Sequence, residues 1–424
     1  MHAEATAVSS MPSDEFFLAR QPILGRDQHL VAFELLFRAA GEHEDARLTN
    51  GGAAATAAVI SHASQLGLEH VVGEQLAFIN VDADVLMSDF VRFLPPRKVI
   101  LEILETVKPT EPLLARVAEL KELGFTFALD DVIEHTEEVD KLLGLVDVIK
   151  IDLKGVERHA LPALAASLRA TNKKLLAEKV ETVGEFNLCM ELGFEYFQGY
   201  YFARPVILSG RKITPSEMVI LRLLELLHAD ADDVIIETAV KRDALISLNL
   251  LRLVNSRASS SGRRIESVSE AITKLGRRQL RRWLQILLYA TPGSPVELHS
   301  PLLQLATTRG KLLELMSLQV HRDSVVRAER AFTVGIMSLA DALFSMPMAD
   351  ILDNVELADD VRAALLHREG TFGAMLDVVE RLEKADTGAQ FTAALRRLGL
   401  TSKQVREIEL EAFDWVRELA YEAA

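Results

Sequence analysis

Polar side chains stand at or near the ends of short β-rich runs in the first half of the chain. Most are carboxylates or amides, with one lysine and neither histidine nor cysteine: Glu34, Asn80, Glu102, Glu105, Asp130, Asp131, Lys150, Asp152, Glu178, Glu181 and Gln198. Oxygen ligands of this kind suit Mg²⁺, Mn²⁺ or Ca²⁺ rather than zinc. Without a cation, so many converging acids would repel one another. The residue types therefore predict a divalent-metal site if the fold brings them together.

The elements that must position these side chains are strands that alternate with helical stretches from residue 15 to 205. The predicted strands are Phe16–Ile23, Leu30–Phe37, Gln75–Val81, Lys98–Leu104, Thr126–Val132, Asp147–Leu153, Lys174–Val180 and Tyr196–Phe202. Eight strands with intervening helices predict a compact (β/α)8 barrel. An open doubly wound sheet is the alternative, but no glycine-rich phosphate turn follows the first strand. In a parallel barrel the carboxyl ends of the strands meet at one mouth, which would gather the polar residues.

The second half of the chain has a different pattern. From Thr214 to Ala424 leucine-rich helical periodicity replaces the β-branched runs, as in DALISLNLLRLVN (243–255). We therefore predict a disordered tail over residues 1–14, an α/β barrel over 15–206, a hinge over 207–213 and an all-α domain over 214–424.

Charge and composition limit the class of partner. The net charge of −15 argues against general nucleic-acid binding, because phosphate backbones would be repelled. Residues 252–282 are an exception with nine Arg or Lys against two Glu, which we interpret as a solvated helical face with helix C-caps. An anionic partner for this segment is the open alternative.

Three features of the sequence predict a cytoplasmic protein. The single cysteine, Cys189, cannot form an internal disulfide. The first 15 residues carry no Lys or Arg ahead of an apolar run, unlike a secretory signal. The chain has no run of 18 uncharged apolar residues that would span a membrane. We expect no membrane and no nucleic-acid partner.

Eight motifs of the barrel half resemble, in the same order, those of the EAL domain of cyclic di-GMP phosphodiesterases. They are RQPIL (20–24), FELLFR (33–38), FINVD (78–82), LEILET (101–106), LDD (129–131), KID (150–152), AEKVET (177–182) and QGYYFARP (198–205). Their ordered spacing over about residues 15 to 206 makes the resemblance specific. It implies a modified (β/α) barrel that cuts one phosphodiester of cyclic di-GMP with two Mg²⁺ or Mn²⁺ ions, which gives linear pGpG.

The resemblance also implies roles for individual residues. The implied metal ligands are Glu34, Asn80, Glu102, Asp130, Asp131 and Glu178. The implied catalytic residues are Glu34, Lys150, Gln198 and Glu105. Lys150 corresponds to the lysine that orients or deprotonates the attacking water, and Glu105 to the glutamate that anchors a mobile loop. Substrate contacts are implied for Arg38, Gln21 and Pro22.

Three departures from the EAL pattern bear on activity. The glycine-rich loop DDFGTGYSSL of active EAL domains is DDVIEHTEEV (130–139) here, so both of its permissive glycines are lost. The signature itself becomes ELL, with Leu35 in place of alanine, and AEGVET becomes AEKVET, with Lys179 in place of glycine. Because the ligands are intact but the loop beside the second metal is not, we expect an impaired second metal site and weak or conditional turnover.

The helical half resembles the HDOD domain, a relative of HD-type phosphohydrolases that lacks their metal-binding histidines and aspartates. The matching blocks are RDALISLNLLRLVNS (242–256), RIESVSEAITKLGRRQLRRWLQ (264–285), AFTVGIMSLADALFSMPMADIL (331–352) and ALLHREGTFGAMLDVVERLE (364–383). The pairing is similar to that of EAL–HDOD proteins of the YuxH type. The resemblance implies a regulatory or partner-docking module.

Three functions remain open on the sequence alone. The barrel is a cyclic di-GMP phosphodiesterase of reduced or switched activity under HDOD control, or a receptor that binds the nucleotide without cutting it. Alternatively, it is an interaction scaffold with an empty barrel. The intact ligands and Lys150 favour the enzyme, and the altered loop favours the receptor. An unidentified protein partner of the HDOD domain and a homodimer through either half are further expectations.

Overall fold

A computed structural model describes residues 16–39, 68–203, 215–256, 265–289, 300–321, 324–353, 355 and 357–423. The predicted tail over 1–14 and the predicted hinge over 207–213 lie outside these residues. Eight strands, β1 to β8 in sequence order, form a closed barrel, and helices follow it, which confirms the predicted fold class. The strands are Phe16–Gly25, Leu30–Ala39, Leu76–Val81, Val99–Ile103, Thr126–Leu129, Val148–Asp152, Lys174–Glu178 and Tyr196–Gln198.

Strand β1 departs from the parallel arrangement. It pairs antiparallel with β2, where Gln21 lies opposite Glu34, and antiparallel with β8, where Ile23 lies opposite Gln198. The remaining neighbours, from β2–β3 to β7–β8, pair in parallel. Because β1 runs the other way, its start lies level with the carboxyl ends of the other strands. The antiparallel strand is the feature that makes this a modified (β/α)8 barrel.

Helices cover the outside of the barrel. They are α1 (Leu68–Val72), α2 (Ala83–Met87), α3 (Glu111–Glu122), α4 (Glu137–Leu143), α5 (Leu161–Arg169) and α6 (Val183–Leu192). Local sequence fixes the ends of α6: Thr182 and Glu185 form a capping box at its start, and Gly193 ends it in the left-handed conformation. The strands present their outward side chains to these helices in one apolar core.

A second apolar layer lies inside the barrel and explains the position of the site. One residue from each of seven strands forms it: Ile23, Ala32, Phe78, Ile100, Ala128, Val148 and Leu176. Side chains of a strand alternate between its two faces, so the residue two positions further on faces the same way. Along β2 to β7 those residues are Glu34, Asn80, Glu102, Asp130, Lys150 and Glu178, of which Asp130 directly follows the last residue of β5. On the reversed β1 the corresponding residue is two positions earlier, at Gln21.

The rest of the described chain is helical. Its helices are α7 (Pro215–His228), α8 (Asp233–Lys241), α9 (Ala244–Ser256), α10 (Val268–Leu275), α11 (Arg277–Leu287), α12 (Pro301–Val320), α13 (Val325–Met337), α14 (Ala340–Phe344), α15 (Met348–Leu352), α16 (Asp359–His367), α17 (Gly370–Glu383), α18 (Ala389–Leu398) and α19 (Ser402–Ala423). They enclose an apolar core of their own. Among the described residues no helix is both long and apolar enough to cross a membrane.

The helical domain packs against one side of the barrel. Helices α17 and α19 contact β1, and α19 also contacts α1. Helices α12 and α14 contact the short 3₁₀ helix Tyr201–Ala203 that follows β8. The interface therefore lies at β1 and β8, where the barrel closes.

Candidate metal centre

Lys150 lies at the centre of a buried group of carboxylates in the barrel mouth. Its Nζ is 2.8 Å from Glu102 Oε1, 2.9 Å from Asp130 Oδ1 and 2.9 Å from Glu178 Oε1. Glu34 Oε2 is 3.6 Å away. The side chains of Lys150 and Glu102 are 1% and 0% exposed, so water screens these charges poorly. Four strands thus deliver four carboxylates to one lysine.

Amide side chains hold Glu34 from both of its oxygens. Asn80 Nδ2 donates to Glu34 Oε1 at 3.0 Å, and Gln198 Nε2 donates to Glu34 Oε2 at 2.6 Å. Gln198 Nε2 also donates to Gln21 Oε1 at 2.9 Å. The antiparallel pairing of β1 with both β2 and β8 brings Gln21 to this position. Glu34 is therefore oriented by three neighbouring strands.

The charges of the group do not balance. Four carboxylates face one ammonium, a formal charge of −3 when all are ionised. Burial raises the pKa of Glu102 well above its ordinary value, and Glu34 raises it further. Burial likewise raises the pKa of Asp130 and of Glu178, although Lys150 opposes both shifts. Burial lowers the pKa of Lys150, but the surrounding carboxylates outweigh it and raise that pKa well above the ordinary value.

The donor set fits a hard divalent cation. Among the described residues, Glu102 Oε2, Glu178 Oε2 and Gln198 Oε1 are buried without a hydrogen-bond partner. Buried oxygens of this kind are costly unless something binds them, and a cation would satisfy them while balancing the negative charge. Carboxylate and amide oxygens are typical ligands of Mg²⁺, Mn²⁺ and Ca²⁺. The site can hold a cation with Glu34, Asn80, Glu102, Asp130 and Glu178.

A second acidic group adjoins the first and shares Asp130 with it. Oxygens of Glu105, Asp130 and Asp131 lie within 4.8 Å of one another. Asp131 has a φ of 44°, in the left-handed region that a residue with a side chain adopts at some cost. The following loop carries the exposed Ile133 and leads to Thr136, the N-cap of α4. The altered sequence after the two aspartates therefore forms an ordered helix start beside the mouth.

Lys179 introduces a second positive charge at the mouth. Its φ is 55°, so it occupies the left-handed conformation that favours glycine, the residue usual at this position of an EAL domain. Its Nζ contacts Asp152 Oδ2 at 2.5 Å, and Asp152 is buried. Asp152 lies opposite Glu178 in the register of β6 and β7. The lysine therefore neutralises an acid next to the proposed metal ligands.

The remaining sequence-predicted residues fall in three places. Pro22 lies in β1 and lines the contact with the helical domain. Arg38 lies in β2, but its side chain is outside the described part of the structure. Leu35 packs in the outer core, on the face opposite to Glu34, so the substitution in the EAL signature does not add bulk to the mouth.

Arg20 and Tyr200 had no role predicted from the sequence, although each lies in an EAL-like motif. Asp152 was predicted only as one of the converging acids, and Lys179 only as a departure from the EAL pattern. Asp152 and Lys179 form an ion pair, Arg20 contacts the helical domain, and Tyr200 directly precedes the 3₁₀ helix that does so. Asp152 lies two residues after Lys150 on the same strand, so strand alternation predicts that both side chains face the same way. No local pattern indicates the partners of Arg20 and Tyr200, which come from distant helices.

The basic segment 252–282 has internal partners where it is described. On α11, Arg277 pairs with Asp230 and Asp233, and Arg282 pairs with Glu314. Arg278 and Arg281 are within 3.8 Å and 3.7 Å of Glu329. These ion pairs agree with a solvated helical face. The absence of a nucleic-acid partner stays a prediction.

Comparison with known proteins covers both halves of the chain. The EAL domain model matches residues 6–205, and the HDOD domain model matches residues 214–295. The chain is 31% identical to "Cyclic di-GMP phosphodiesterase CdgJ" of Vibrio cholerae over 408 residues, which are 95% of this chain and 93% of CdgJ. It is 30% identical to "Uncharacterized protein YuxH" of Bacillus subtilis over 413 residues, 95% of this chain and 98% of YuxH.

Among solved structures, the fold is similar to that of the Bacillus subtilis YkuI protein, which has an EAL domain and was solved in complex with cyclic di-GMP and calcium. The TM-score is 0.39 and the identity is 22%, over 62% of this chain and 74% of YkuI. The two relatives that align along nearly the whole chain, together with the two domain models, identify the family: this chain belongs to the EAL–HDOD proteins.

Proposed function

We propose that the barrel binds cyclic di-GMP together with Mg²⁺ or Mn²⁺ and hydrolyses it weakly to pGpG under the control of the helical domain. The buried group of four carboxylates around Lys150 is the observation that carries this proposal. The printed name of CdgJ, a relative along 95% of the chain, supports the choice of substrate.

In this proposal the chain's own residues bind and orient the reactants. Glu34, Asn80, Glu102, Asp130 and Glu178 hold the first cation, and Asp130 with Asp131 and Glu105 lies where a second would bind. Bound divalent cations stabilise developing negative charge and lower the pKa of a water molecule. The three N–H groups of Lys150 face three of the carboxylates, and when a bound cation takes over one of these the freed N–H can donate to a water. Gln21 and Gln198 fix the orientation of Glu34, and Arg38 is the proposed phosphate contact.

In this proposal turnover is weak because of the second acidic group, Glu105 with Asp130 and Asp131, and not because of the carboxylates around Lys150. Glu105 is exposed, and the loop after Asp131 has bulky residues where active EAL domains have glycines. A second cation would therefore be held by fewer and more solvated ligands than the first. Reactions that use two cations lose rate when the second site is poorly filled.

A receptor function is the second candidate, because the Lys179–Asp152 ion pair places a fixed cation beside the ligands. A fixed ammonium can bind a nucleotide phosphate without activating water. In that case the helical domain would transmit the bound state to a protein partner. A homodimer through either domain stays a prediction.

Calorimetric titration of cyclic di-GMP into the full chain with Ca²⁺, followed by product analysis in Mn²⁺, tests the proposal. We expect saturable binding in Ca²⁺ and slow formation of pGpG in Mn²⁺. Binding without product in either metal would leave the receptor, and the absence of heat in both metals would refute both nucleotide functions.

Two variants assign the result to the carboxylate site. Glu34→Gln removes one proposed ligand charge with little change in shape, so it should abolish turnover and weaken Mn²⁺ binding. Glu122→Gln makes the same exchange at an exposed position at the end of α3, on the opposite end of the barrel, and should leave both unchanged. Equal behaviour of the two variants would place the activity elsewhere.

A further inference from the structure

We propose that the helical domain forms part of the barrel site, because it positions the Gln21–Gln198 pair through two barrel residues, Arg20 and Tyr200. The inference rests on the proposed function and names the contacts by which the second domain reaches the site. Both residues are adjacent in sequence to the glutamines or nearly so. Arg20 is held by side chains of helices α12 and α19, and Tyr200 directly precedes a 3₁₀ helix that contacts α12 and α14.

Arg20 joins β1 to the helical domain. Its guanidinium stacks on the ring of Phe413 from α19 at 3.9 Å, and it also lies over Phe33 of β2 at 4.6 Å. Its Nη2 donates to Thr308 Oγ1 of α12 at 3.4 Å, and its Nη1 donates to the carbonyl oxygen of Val71 at 2.8 Å. Burial lowers the pKa of Arg20 to about 9, a shift that the nearby Glu409 opposes. A buried guanidinium with so many partners has little freedom to move.

Tyr200 directly precedes the 3₁₀ helix Tyr201–Ala203, which contacts α12 and α14 and packs Ala203 against the core of the helical domain. Burial raises the pKa of its hydroxyl well above the ordinary value, and the charge of Glu383 adds to the shift. Glu383 itself is locked, because it accepts two hydrogen bonds of 2.7 Å from Arg309. Arg309 Nη1 also donates to Ser338 Oγ at 2.9 Å. The Arg309–Glu383 ion pair of helices α12 and α17 therefore lies within electrostatic range of the Tyr200 hydroxyl.

The backbone carries these contacts to the site. Gln21 follows Arg20 directly, and Gln198 is two residues before Tyr200. Gly199, between Gln198 and Tyr200, has a φ of 146°, and a Cβ built on it would lie 2.1 Å from the carbonyl oxygen of Val180. This close approach leaves Gln198 and Tyr200 little independent movement. Displacement of either anchor would shift an amide that holds Glu34.

The consequence is a barrel site that depends on the neighbouring domain. Gln198 donates to Glu34 Oε2, and Gln21 accepts from the same amide, so the pair fixes one oxygen of a proposed metal ligand. If the helical domain releases Arg20 and Tyr200, Glu34 loses that orientation. We expect metal affinity and kcat to fall together.

The test compares two variants of the full chain that truncate a buried ring of the helical domain. Phe413→Leu removes the ring under Arg20, whereas Phe391→Leu removes a buried ring of α18, a helix that packs on α17. Free Mn²⁺ is measured by electron paramagnetic resonance during titration, and kcat and KM are measured in Mn²⁺. We expect Phe413→Leu to weaken Mn²⁺ binding about 2- to 30-fold, as for coupled sites in other proteins, and to lower kcat with it. Phe391→Leu should lower thermal stability alone.

A second variant and a second readout keep the inference testable. Tyr200→Phe retains the ring and removes the hydroxyl on which the charge of Glu383 acts, so it should shift Mn²⁺ affinity in the same direction. Hydrogen exchange of the amides from residue 198 to 203 should speed up in Phe413→Leu and not in Phe391→Leu. Equal Mn²⁺ affinity and equal exchange in the two leucine variants would overturn the inference. A wild type that binds Mn²⁺ but no cyclic di-GMP would refute the proposed function. The Mn²⁺ affinities of Phe413→Leu and Phe391→Leu would still show whether the helical domain positions the metal ligands.

Discussion

The exchange of Lys150 for methionine removes the ammonium from the centre of four carboxylates while keeping an unbranched side chain of similar length. Lys150 Nζ lies within 2.9 Å of Glu102, Asp130 and Glu178, and its side chain is 1% exposed. Methionine fits irregular buried space, so the change acts on charge more than on packing. The variant therefore tests whether the carboxylates need a cation.

The expected loss of stability follows from the contacts. Coulomb's law with an effective dielectric constant of about 20 gives an attraction of about 6 kcal/mol for each contact near 2.9 Å. Most of this attraction is offset by the desolvation of the ammonium and by proton uptake of the carboxylates. Removal of one partner from a buried charge group typically costs about 3 to 5 kcal/mol. We expect Lys150→Met to lower the free energy of unfolding by that amount in metal-free buffer.

The assay is urea denaturation at pH 7 in chelator, followed by far-ultraviolet circular dichroism. Tryptophan fluorescence would miss the barrel, because both tryptophans, Trp283 and Trp415, lie in the helical domain. Lys154→Met is the matched control, since Lys154 is 61% exposed and its ion pair with Glu181 is worth at most about 1 kcal/mol. Saturating Mn²⁺ should restore more stability to Lys150→Met than to wild type, because a cation then replaces the missing ammonium.

Two results would refute this reasoning. One is a loss in Lys150→Met no larger than that in Lys154→Met, which would mean that the carboxylates are neutral or well solvated without the lysine. The other is a stability of Lys150→Met that does not respond to Mn²⁺. The first would contradict the charge argument, and the second would contradict the metal assignment.

Three further predictions concern backbone strain, pH and close packing. Lys179→Gly should be about 1 kcal/mol more stable than Lys179→Ala in thermal unfolding, because both lose the ion pair with Asp152 but only glycine adopts the left-handed backbone freely. Burial raises the pKa of Glu409 to about 8 from an ordinary value of 4.5. The stabilisation that results from protonated Glu409 is therefore complete below pH about 4.5 and is lost as the pH rises to about 8. Between these two pH values the free energy of unfolding of the wild type should fall more steeply than that of Glu409→Gln, by about 1.4 kcal/mol per pH unit. Urea titrations at several pH values measure both. Gly199→Ala should cost more than about 3 kcal/mol in the same assay, because its Cβ would overlap the carbonyl oxygen of Val180.

The barrel and the position of its site could be predicted because strand side chains alternate between two faces. Each polar residue of the site along β2 to β7 therefore points into the barrel from a position two residues after a buried interior residue. Glu102 follows the buried Ile100, and Lys150 follows Val148, on strands that alternate between two faces. The predicted strands at Thr126 and Lys174 ran two or three residues too long, because β-branched residues such as Val132 and Val180 continue past the last ladder pairs. The antiparallel direction of β1 could not be predicted from this alternation, because the pattern is the same whichever way a strand runs.

The contacts between the domains could not be predicted for a different reason. Arg20 contacts Phe413, which is almost the full length of the chain away, and the 3₁₀ helix after Tyr200 contacts helices α12 and α14. Helical periodicity shows that a face is apolar but not which surface it covers. The left-handed backbone of Lys179, by contrast, had a sequence signal, since it occupies a position where related domains have glycine.

The place where the helical domain docks has a physical rationale in the barrel itself. Strand β8 has three residues, and its pairing with β7 covers only Tyr196 and Phe197. The barrel therefore closes through its shortest strand, and Gln198 is the last residue of that strand. A site whose ligand is oriented from so short a strand gains from support at both ends of it, and the helical domain supplies contacts through β1 and through the 3₁₀ helix after β8. Control by the second domain should therefore act on Gln198 and Glu34 before it reaches the altered loop after Asp131.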